Sequence, residues 1–253
     1  MSESASPRPP ALPLFFKRVV GVNPEMHGAL RLDRGTGFAY AARAQSVPIG
    51  LGEMEAVSQH YPILFAGGAQ PVAVALLGLR EGENLYVLPD GTWRPSRYVP
   101  AYVRAFPFIF VENEATKTVY VGIEPDAECL RLDTGVPLFE DNKPTAAFNE
   151  SVAFCSAFRD NLNAASAFGR ALAAEGMLED EEASITFTHG GASRVRGFKV
   201  VKPERLDRLS DETFLDWRHR GWLGPLYAHL HSTARWSRLI DLAAPPSPTA
   251  PAP

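Results

Sequence analysis

The sequence predicts an α+β fold, with an antiparallel or mixed sheet of short strands in the N-terminal half and helices mainly in the C-terminal half. Short segments rich in β-branched and aromatic residues, separated by turn residues, dominate the first half. From about residue 149 onward, apolar residues instead recur every three or four positions. Strands that cluster early and helices that cluster late favour α+β over a regularly alternating, doubly wound sheet.

The first half begins as a series of short strands with one helical interruption. The residues 52–60, "GEMEAVSQH", predict a short helix that ends before Pro62, because a proline disfavours helical geometry in the residue before it. The turn signal "PDGTW" closes the last strand of the series. The predicted strands cover residues 17–22, 29–32, 37–41, 63–66, 72–79 and 84–88.

The central segment "RYVPAYVRAFPFIFV", residues 97–111, predicts a corner that leads into a buried strand. Pro100 suits an early helical position, residues 101–104 supply one helical turn, and Pro107 ends that turn. The apolar "FIFV" and "TVYVGIE" then predict a hairpin across the polar "ENEATK".

The second half begins with a long helix. Asn149 is a favourable N-cap, and Gly176 is placed to end the helix. Its predicted buried stripe contains Cys155, Phe158, Leu162, Ala165 and Leu172, with Phe154 and Phe168 widening it.

A second hairpin and three further helices complete the predicted order of elements. The segments "ASITFTH" and "RVRGFKVVK" flank Gly190-Gly191 and predict the hairpin. Pro203 opens a short helix, and Ser210 caps a helix that stops at Gly221. A last helix is predicted over residues 222–242, with an inner stripe of Leu223, Leu226, Leu230 and Ala234.

The chain of 253 residues is long enough to bury a sizeable core, and no Gly/Ser linker divides it. We therefore expect a single domain over residues 15–242. Residues 1–14 and 243–253 are rich in proline and lack apolar periodicity, so both are predicted to be disordered tails.

Charge and hydropathy exclude several classes of protein. The net charge is -4, and the ten basic residues after position 193 are interleaved with six acidic ones, which argues against a nucleic-acid surface. No apolar run approaches the roughly 18 residues of a membrane span. The opening residues lack the basic start and apolar core of a secretory signal, so we expect a cytoplasmic protein. The sequence leaves the oligomeric state open.

The central corner and the residues just before it contain the best candidates for a binding surface. Trp93, Tyr98, Tyr102 and Arg104 are of the residue types that are enriched in binding hot spots. Tyr98 and Tyr102 are four residues apart and share one side of the predicted turn, while Arg104 can reach a carboxylate or backbone carbonyl oxygens. Two interpretations stay open at this point: these side chains brace the corner, or they contact a ligand or partner protein.

The sequence contains no strong catalytic constellation. None of the six histidines belongs to an HxxxH or HExxH motif, there is no GxSxG, and Cys155 is predicted to lie buried in a helix. A facial set of His27, Glu53 and His60 would suit non-haem iron. The alternative is that Glu53 is solvated and that His60 packs beside Tyr61.

Several segments together resemble the SapC family of bacterial proteins. They are "VPIGLGEMEAVSQHYPILF", "ALLGLREGENLYVLPDGTWRPSRYVPAYVRAFPFIFV", "PLFEDNKPT" and "GFKVVKPERLDRLSDETFLDWRHRGWLGPLYAHLHS". The resemblance covers roughly residues 16–242, and its YxPAYxRxxPF and GxLxxxYAHLxS elements are distinctive.

The resemblance implies a role at the bacterial surface without identifying a reaction. The family takes its name from a surface-layer locus, and its genes are often found near TonB-dependent receptors and halogenase-like or cupin-like genes. We therefore expect an accessory protein that binds a protein partner and needs no cofactor. The alternative is a metal-dependent modifying enzyme or enzyme subunit, with iron held by the weak set around Glu53 and His60.

Overall fold

The computed structural model describes residues 12–68, 70–112, 116–187 and 190–244. It confirms the α+β class, with several small antiparallel sheets and seven α-helices within those ranges. Most of the two predicted tails, residues 1–11 and 245–253, lies outside the described residues. Within the described ranges, no helix is both long and apolar enough to cross a membrane.

The largest sheet has five antiparallel strands in the order β12-β13-β4-β5-β3. Its outer pair is the predicted second hairpin, so this sheet joins the two halves of the chain. Across β4 and β5, Ile63 pairs with Ala75 and Phe65 pairs with Ala73. In each pair a large side chain therefore lies opposite a small one. The strands are β3 (Ser46–Pro48), β4 (Ile63–Ala66), β5 (Val72–Leu76), β12 (Leu178–Thr186) and β13 (Ala192–Val201).

Three smaller sheets surround the central corner, and their orders are β1-β7-β6, β8-β2-β9 and β10-β11. The predicted first hairpin is confirmed as the pair β6 and β7. The strands are β1 (Val20–Gly21), β2 (Arg31–Leu32), β6 (Phe108–Glu112), β7 (Val119–Ile123), β8 (Leu130–Arg131), β9 (Val136–Pro137), β10 (Phe139–Glu140) and β11 (Lys143–Pro144).

The helices include one long helix, α4, which extends past both sets of sheets. Gly169 on α4 is required by this packing, since a Cβ there would lie 2.3 Å from the carbonyl oxygen of Pro71. The helices are α1 (Pro24–His27), α2 (Met54–Ser58), α3 (Ala101–Ala105), α4 (Ala146–Ala174), α5 (Asp211–His219), α6 (Leu223–Ser232) and α7 (Arg235–Ala243).

Two predicted strands are wrong. Residues 39–41 form a 3₁₀ turn, because the backbone N–H of Phe38 pairs with Gly91 and the chain coils back at Ala41. The segment 84–88 forms no ladder beyond one bridge between Val87 and Trp93. There the Asn84 side chain accepts from the Tyr86 N–H and donates to the Ala41 carbonyl, which replaces strand pairing by a local turn.

Two helix boundaries also differ from the prediction. Thr145 caps α4 by accepting from the Phe148 N–H, and Asn149 already lies inside the helix, its N–H donating to the Thr145 carbonyl. The last predicted helix is two helices, α6 and α7. The Ser232 and Thr233 hydroxyls donate to carbonyls three residues back, which competes with helical bonding at the break.

Candidate functional site

A large cleft lies where the turn after β2 faces α3 and the first turns of α4. It has a volume of about 710 Å³, and aromatic side chains form much of its wall. The lining residues are Leu32, Asp33, Arg34, Thr36, Gly37, Phe38, Tyr40, Arg104, Phe106, Cys129, Gly135, Val136, Ala147, Glu150, Ser151 and Phe154.

Two arginines define one wall of this cleft. Arg34 donates to the Arg104 carbonyl (3.3 Å) and to the Ser151 hydroxyl (3.2 Å). The Arg104 guanidinium donates to the Val99 carbonyl (3.0 Å) and lies 4.9 Å from the ring centroid of Phe154. Neither guanidinium forms an ion pair with a carboxylate of the described residues. Both side chains are exposed, so their remaining N–H donors are available to a ligand.

A second cavity of about 230 Å³ adjoins the cleft. The two share five lining residues, namely Thr36, Gly37, Tyr40, Phe106 and Cys129. We call the combined space the joined cleft. Its second end is acidic, because it is lined by Glu124, Asp126 and Glu128 beside Lys17.

The N-terminal segment is anchored beside this acidic end. The buried carboxylate of Glu124 accepts from the backbone N–H groups of Lys17 (2.6 Å) and Arg18 (3.0 Å). Arg18 forms two hydrogen bonds to Asp126 at 3.0 and 3.1 Å. These contacts hold Phe15 against Tyr40 and Phe106, at the junction of the two cavities.

The sulfur and phenol groups around the joined cleft are held in their neutral forms. Burial raises the pKa of the Cys129 thiol to about 11, and burial does the same for Cys155, also to about 11. Burial also raises the pKa of Tyr40, whose hydroxyl donates to the Val103 carbonyl at 2.8 Å. Since a thiol attacks as its thiolate, neither cysteine is activated as a nucleophile near pH 7.

The structure places the four predicted binding residues in different environments. Arg104 lines the cleft of about 710 Å³, and Tyr98 and Arg104 line a neighbouring cavity of about 230 Å³. Trp93 is buried, and its indole N–H donates to the Tyr61 hydroxyl at 3.1 Å. The Tyr102 hydroxyl donates to the Leu14 carbonyl at 3.1 Å, so this ring holds the N-terminal segment.

Arg34 is the residue of this wall that sequence reasoning missed. It lies in "LDRGTG", which indicates only a turn, and the Asp33 carboxylate indeed accepts from the Gly35 N–H. The sequence predicts that Phe154 widens the buried stripe of α4. In the structure Phe154 is half-buried and forms part of the cleft wall. Neither placement is visible locally, since only tertiary packing brings Arg34 and Phe154 to the same cleft.

The structure does not bring the proposed iron ligands together. Among the described residues, no group of three His, Cys, Asp or Glu side chains is arranged to hold a metal ion. His27 is buried, and its Nδ1 lies 3.0 Å from the Asn23 backbone nitrogen. His60 packs beside Tyr61, which is the alternative to a metal role for this histidine.

Glu53 is half-buried and hydrogen-bonded, whereas the alternative interpretation had it solvated. Its carboxylate accepts from the backbone N–H groups of Gly50 (2.9 Å) and Ala101 (2.8 Å) and from the Tyr98 hydroxyl (2.9 Å). Glu53 therefore ties the start of α3 to the 3₁₀ turn that precedes α2. Protein donors therefore take three of the roughly four lone-pair sites of this carboxylate.

The SapC family model matches residues 22–239, which is most of the chain, and the chain therefore belongs to the SapC family. No curated protein and no solved structure matches it.

Proposed function

We propose that this member of the SapC family is a non-enzymatic accessory protein that binds an extended segment of a partner protein in the joined cleft. We place that partner in a bacterial surface-layer or TonB-dependent uptake system, as the family resemblance implies. The observation that carries the proposal is the pair of guanidiniums, Arg34 and Arg104, which face an aromatic-walled cleft without a carboxylate partner among the described residues.

The charges of the joined cleft favour a polypeptide over a single small anion. Arg34 and Arg104 share their end with Asp33 and Glu150, and the other end is acidic. A ligand with charges of both signs along its length matches this pattern, and electrostatic complementarity of that kind gives binding its specificity. Phe38, Phe106 and Phe154 supply apolar contact area between the charges.

The chemistry of the surrounding groups supports binding rather than catalysis. The Cys129 thiol stays protonated near pH 7 because burial raises its pKa to about 11. The Glu53 carboxylate is engaged by three donors, and Ser151 donates to the Ala147 carbonyl while accepting from Arg34. A nucleophile needs an adjacent base, and no histidine lines the joined cleft as described.

Site-specific photocrosslinking in the bacterium that makes the protein tests this function. A benzophenone amino acid replaces Val136, an exposed residue of the cleft wall, and in a matched control replaces Tyr227, an exposed residue of α6 outside the joined cleft. We expect a discrete protein adduct from position 136 and none of the same mass from position 227.

The adduct should disappear when Arg34 and Arg104 are both replaced by glutamate, while the melting temperature changes little. Crosslinked peptides from position 136, identified by mass spectrometry, should map to one contiguous segment of the partner. Equal adducts from both positions, or an adduct that survives the charge reversal, would contradict the proposal.

A further inference from the structure

The neighbouring cavity of about 230 Å³ that Tyr98 and Arg104 line adjoins the joined cleft and has no part in the function proposed above. The two spaces share Arg104 and Phe154 as lining residues. The cavity lies between the 3₁₀ turn before α2, the segment from Tyr98 into α3, and one face of α4. We call it the side pocket, and its lining residues are Gly50, Gly52, Glu53, Tyr98, Ala101, Arg104, Phe154, Ala157, Phe158 and Asn161.

Contacts between the 3₁₀ turn and α4 hold the walls of the side pocket in place. The Asn161 Oδ1 accepts from the Gly52 N–H at 3.0 Å, and the Asn161 Nδ2 donates to the Ala157 carbonyl at 2.9 Å. Gly50 packs so closely on the same residue that a Cβ there would lie 2.7 Å from the Asn161 Cβ. The turn is therefore held against α4, and the side pocket is already formed in the absence of a ligand.

The polar side chains of the side pocket are engaged with one another. The Arg104 Nη2 donates to the Tyr98 hydroxyl at 2.9 Å, and this hydroxyl donates to the Glu53 carboxylate at 2.9 Å. The same carboxylate accepts from the Ala101 N–H at 2.8 Å, and both polar atoms of the Asn161 side chain have partners. A polar ligand group would therefore lose its bonds to water in the side pocket and find few replacements, which costs free energy.

The remaining surface of the side pocket is apolar and largely aromatic. It consists of the side chains of Tyr98, Phe154, Phe158, Ala101 and Ala157. In apolar protein interiors a cavity of about 150 Å³ is enough to bind benzene. The side pocket, at about 230 Å³, can therefore hold a phenyl group. Its aromatic walls also favour a ring, because aromatic pairs gain free energy in tilted and edge-to-face contacts.

Arg104 places a positive charge where the side pocket adjoins the joined cleft. Its guanidinium carbon lies 5.4 Å from the ring centroid of Tyr98 and 4.9 Å from that of Phe154, so two aromatic contacts hold it. Its Nε donates to the Val99 carbonyl and its Nη2 to the Tyr98 hydroxyl. The Nη1 group forms no hydrogen bond with any residue that the structure describes. This nitrogen is available to a ligand carboxylate.

We propose that the side pocket receives a phenylalanine-sized apolar side chain of the segment bound in the joined cleft, while a carboxylate next to that side chain pairs with Arg104. This inference rests on the function proposed above. It adds a requirement on the partner, namely a large apolar residue beside an acidic residue or a chain-terminal carboxylate. Apolar surface, volume and the charge at the entrance each match that pair of groups.

An NMR titration of the full chain with N-acetyl-phenylalanine tests the side pocket directly. We expect saturable binding, with the changes in backbone amide shifts concentrated in residues 50–53, 98–104 and 154–161. N-acetyl-alanine lacks the ring, and N-acetyl-phenylalaninamide lacks the carboxylate, so each should bind at least tenfold more weakly. Absence of saturable binding, or equal affinity for N-acetyl-alanine, would overturn the inference.

Two leucine variants on α4 show where the ring binds. Ala157→Leu fills the side pocket from an exposed position, and Ala173→Leu is the matched control, an exposed alanine that lines neither the side pocket nor the joined cleft. We expect Ala157→Leu to weaken N-acetyl-phenylalanine at least tenfold and Ala173→Leu to change its affinity by less than twofold. Arg104→Gln should lower the affinity for the acid to that for the amide. If Ala157→Leu does not fold, Ala157→Met replaces it, and unchanged affinity in the folded variant would overturn the site.

The same variants separate this inference from the proposed function. In the photocrosslinking experiment, Ala157→Leu should reduce the adduct from position 136 at least fivefold, whereas Ala173→Leu should leave it unchanged. An adduct that survives Ala157→Leu would overturn the role of the side pocket and leave the joined cleft as the binding site. Absence of any adduct from position 136, with the titration as expected, would overturn the proposed function and keep only the ligand class of the side pocket.

Discussion

The two hydrophobic cores of the molecule differ in how completely they are packed. The first core lies around the five-stranded sheet, and side chains such as Tyr61, Phe65, Leu77 and Phe168 are fully buried in it. The second core lies around α3, β6 and the first half of α4. Many of its members keep 7–9% of their surface exposed, including Phe16, Leu130, Phe139, Phe148 and Phe158.

The incomplete packing of the second core coincides with the joined cleft. Leu32, Phe106 and Cys129 belong to this core and also line the joined cleft. A core that is packed without voids gives the most stability, whereas a ligand site needs space that the protein leaves unfilled. The difference indicates that the first core contributes more to the stability of the fold, while the second borders the candidate site.

Matched truncations on α4 give the sharpest test of this difference. Phe168 contacts Phe65, Trp217 and Trp222 in the first core, and Phe168→Ala should lower the free energy of unfolding by about 4 kcal/mol. Phe158→Ala, ten residues earlier in the second core, should cost about half as much, because the site already adjoins a cavity. Urea unfolding measures both, and equal losses would mean that the two cores are equally packed.

The next largest effect is a pH dependence of the first core. His229 is fully buried, its Nε2 accepts from the Val201 N–H at 2.9 Å, and burial lowers its pKa to about 4. The unfolded chain, with a histidine pKa near 6.5, binds the extra proton first. The contribution of His229 to the free energy of unfolding is therefore complete above about pH 6.5. It decreases by about 3 kcal/mol in total as the pH drops towards 4.

Denaturant unfolding between pH 7 and 4 measures this loss. Carboxylates contribute to any acid effect, so His229→Gln is the reference. Its stability should fall less steeply over the same interval than that of the unaltered chain. Parallel curves for the two proteins would show that His229 does not carry the pH dependence.

Glu53 links the two regions, and its removal should have an intermediate effect. Glu53→Ala leaves the Ala101 N–H and the Tyr98 hydroxyl without their acceptor, which should cost about 2 kcal/mol. Glu53→Gln keeps an acceptor oxygen and should recover part of that loss. Thermal unfolding with and without a chelator should give the same values; a chelator-dependent difference would support a metal role for Glu53 instead.

The smallest effect is expected at the cleft wall. Arg104 is exposed, and its bonds to Val99 and Tyr98 compete with water, so Arg104→Ala should cost under about 1 kcal/mol. If this arginine instead braced a buried corner, the loss would be about 1–3 kcal/mol. Circular dichroism during heating measures the change. A loss above about 2 kcal/mol would assign Arg104 to structure rather than to binding.

Much of the fold followed from local patterns in the chain. The hairpin β6–β7, the helix turn at Ala101 and the Ser210 cap of α5 all depend on residues close in sequence, and all are confirmed. The errors arise where distant groups intervene. Phe38 pairs with Gly91 instead of extending a strand, and the Ser232 hydroxyl, while donating to the His229 carbonyl, accepts from the distant Ile63 N–H.

The sequence by itself determined the α+β class, the order of most elements and the family to which the chain belongs, because apolar periodicity, caps and motif residues are local properties. Only the tertiary structure decided the roles of the candidate residues. Trp93 is packed in the core, and the Glu53 carboxylate accepts from the backbone N–H at the start of α3. Arg34 donates to the carbonyl of Arg104, which is 70 positions away in sequence. The physical reason is that a polar side chain takes its role from the donors, acceptors and apolar surface that packing brings to it.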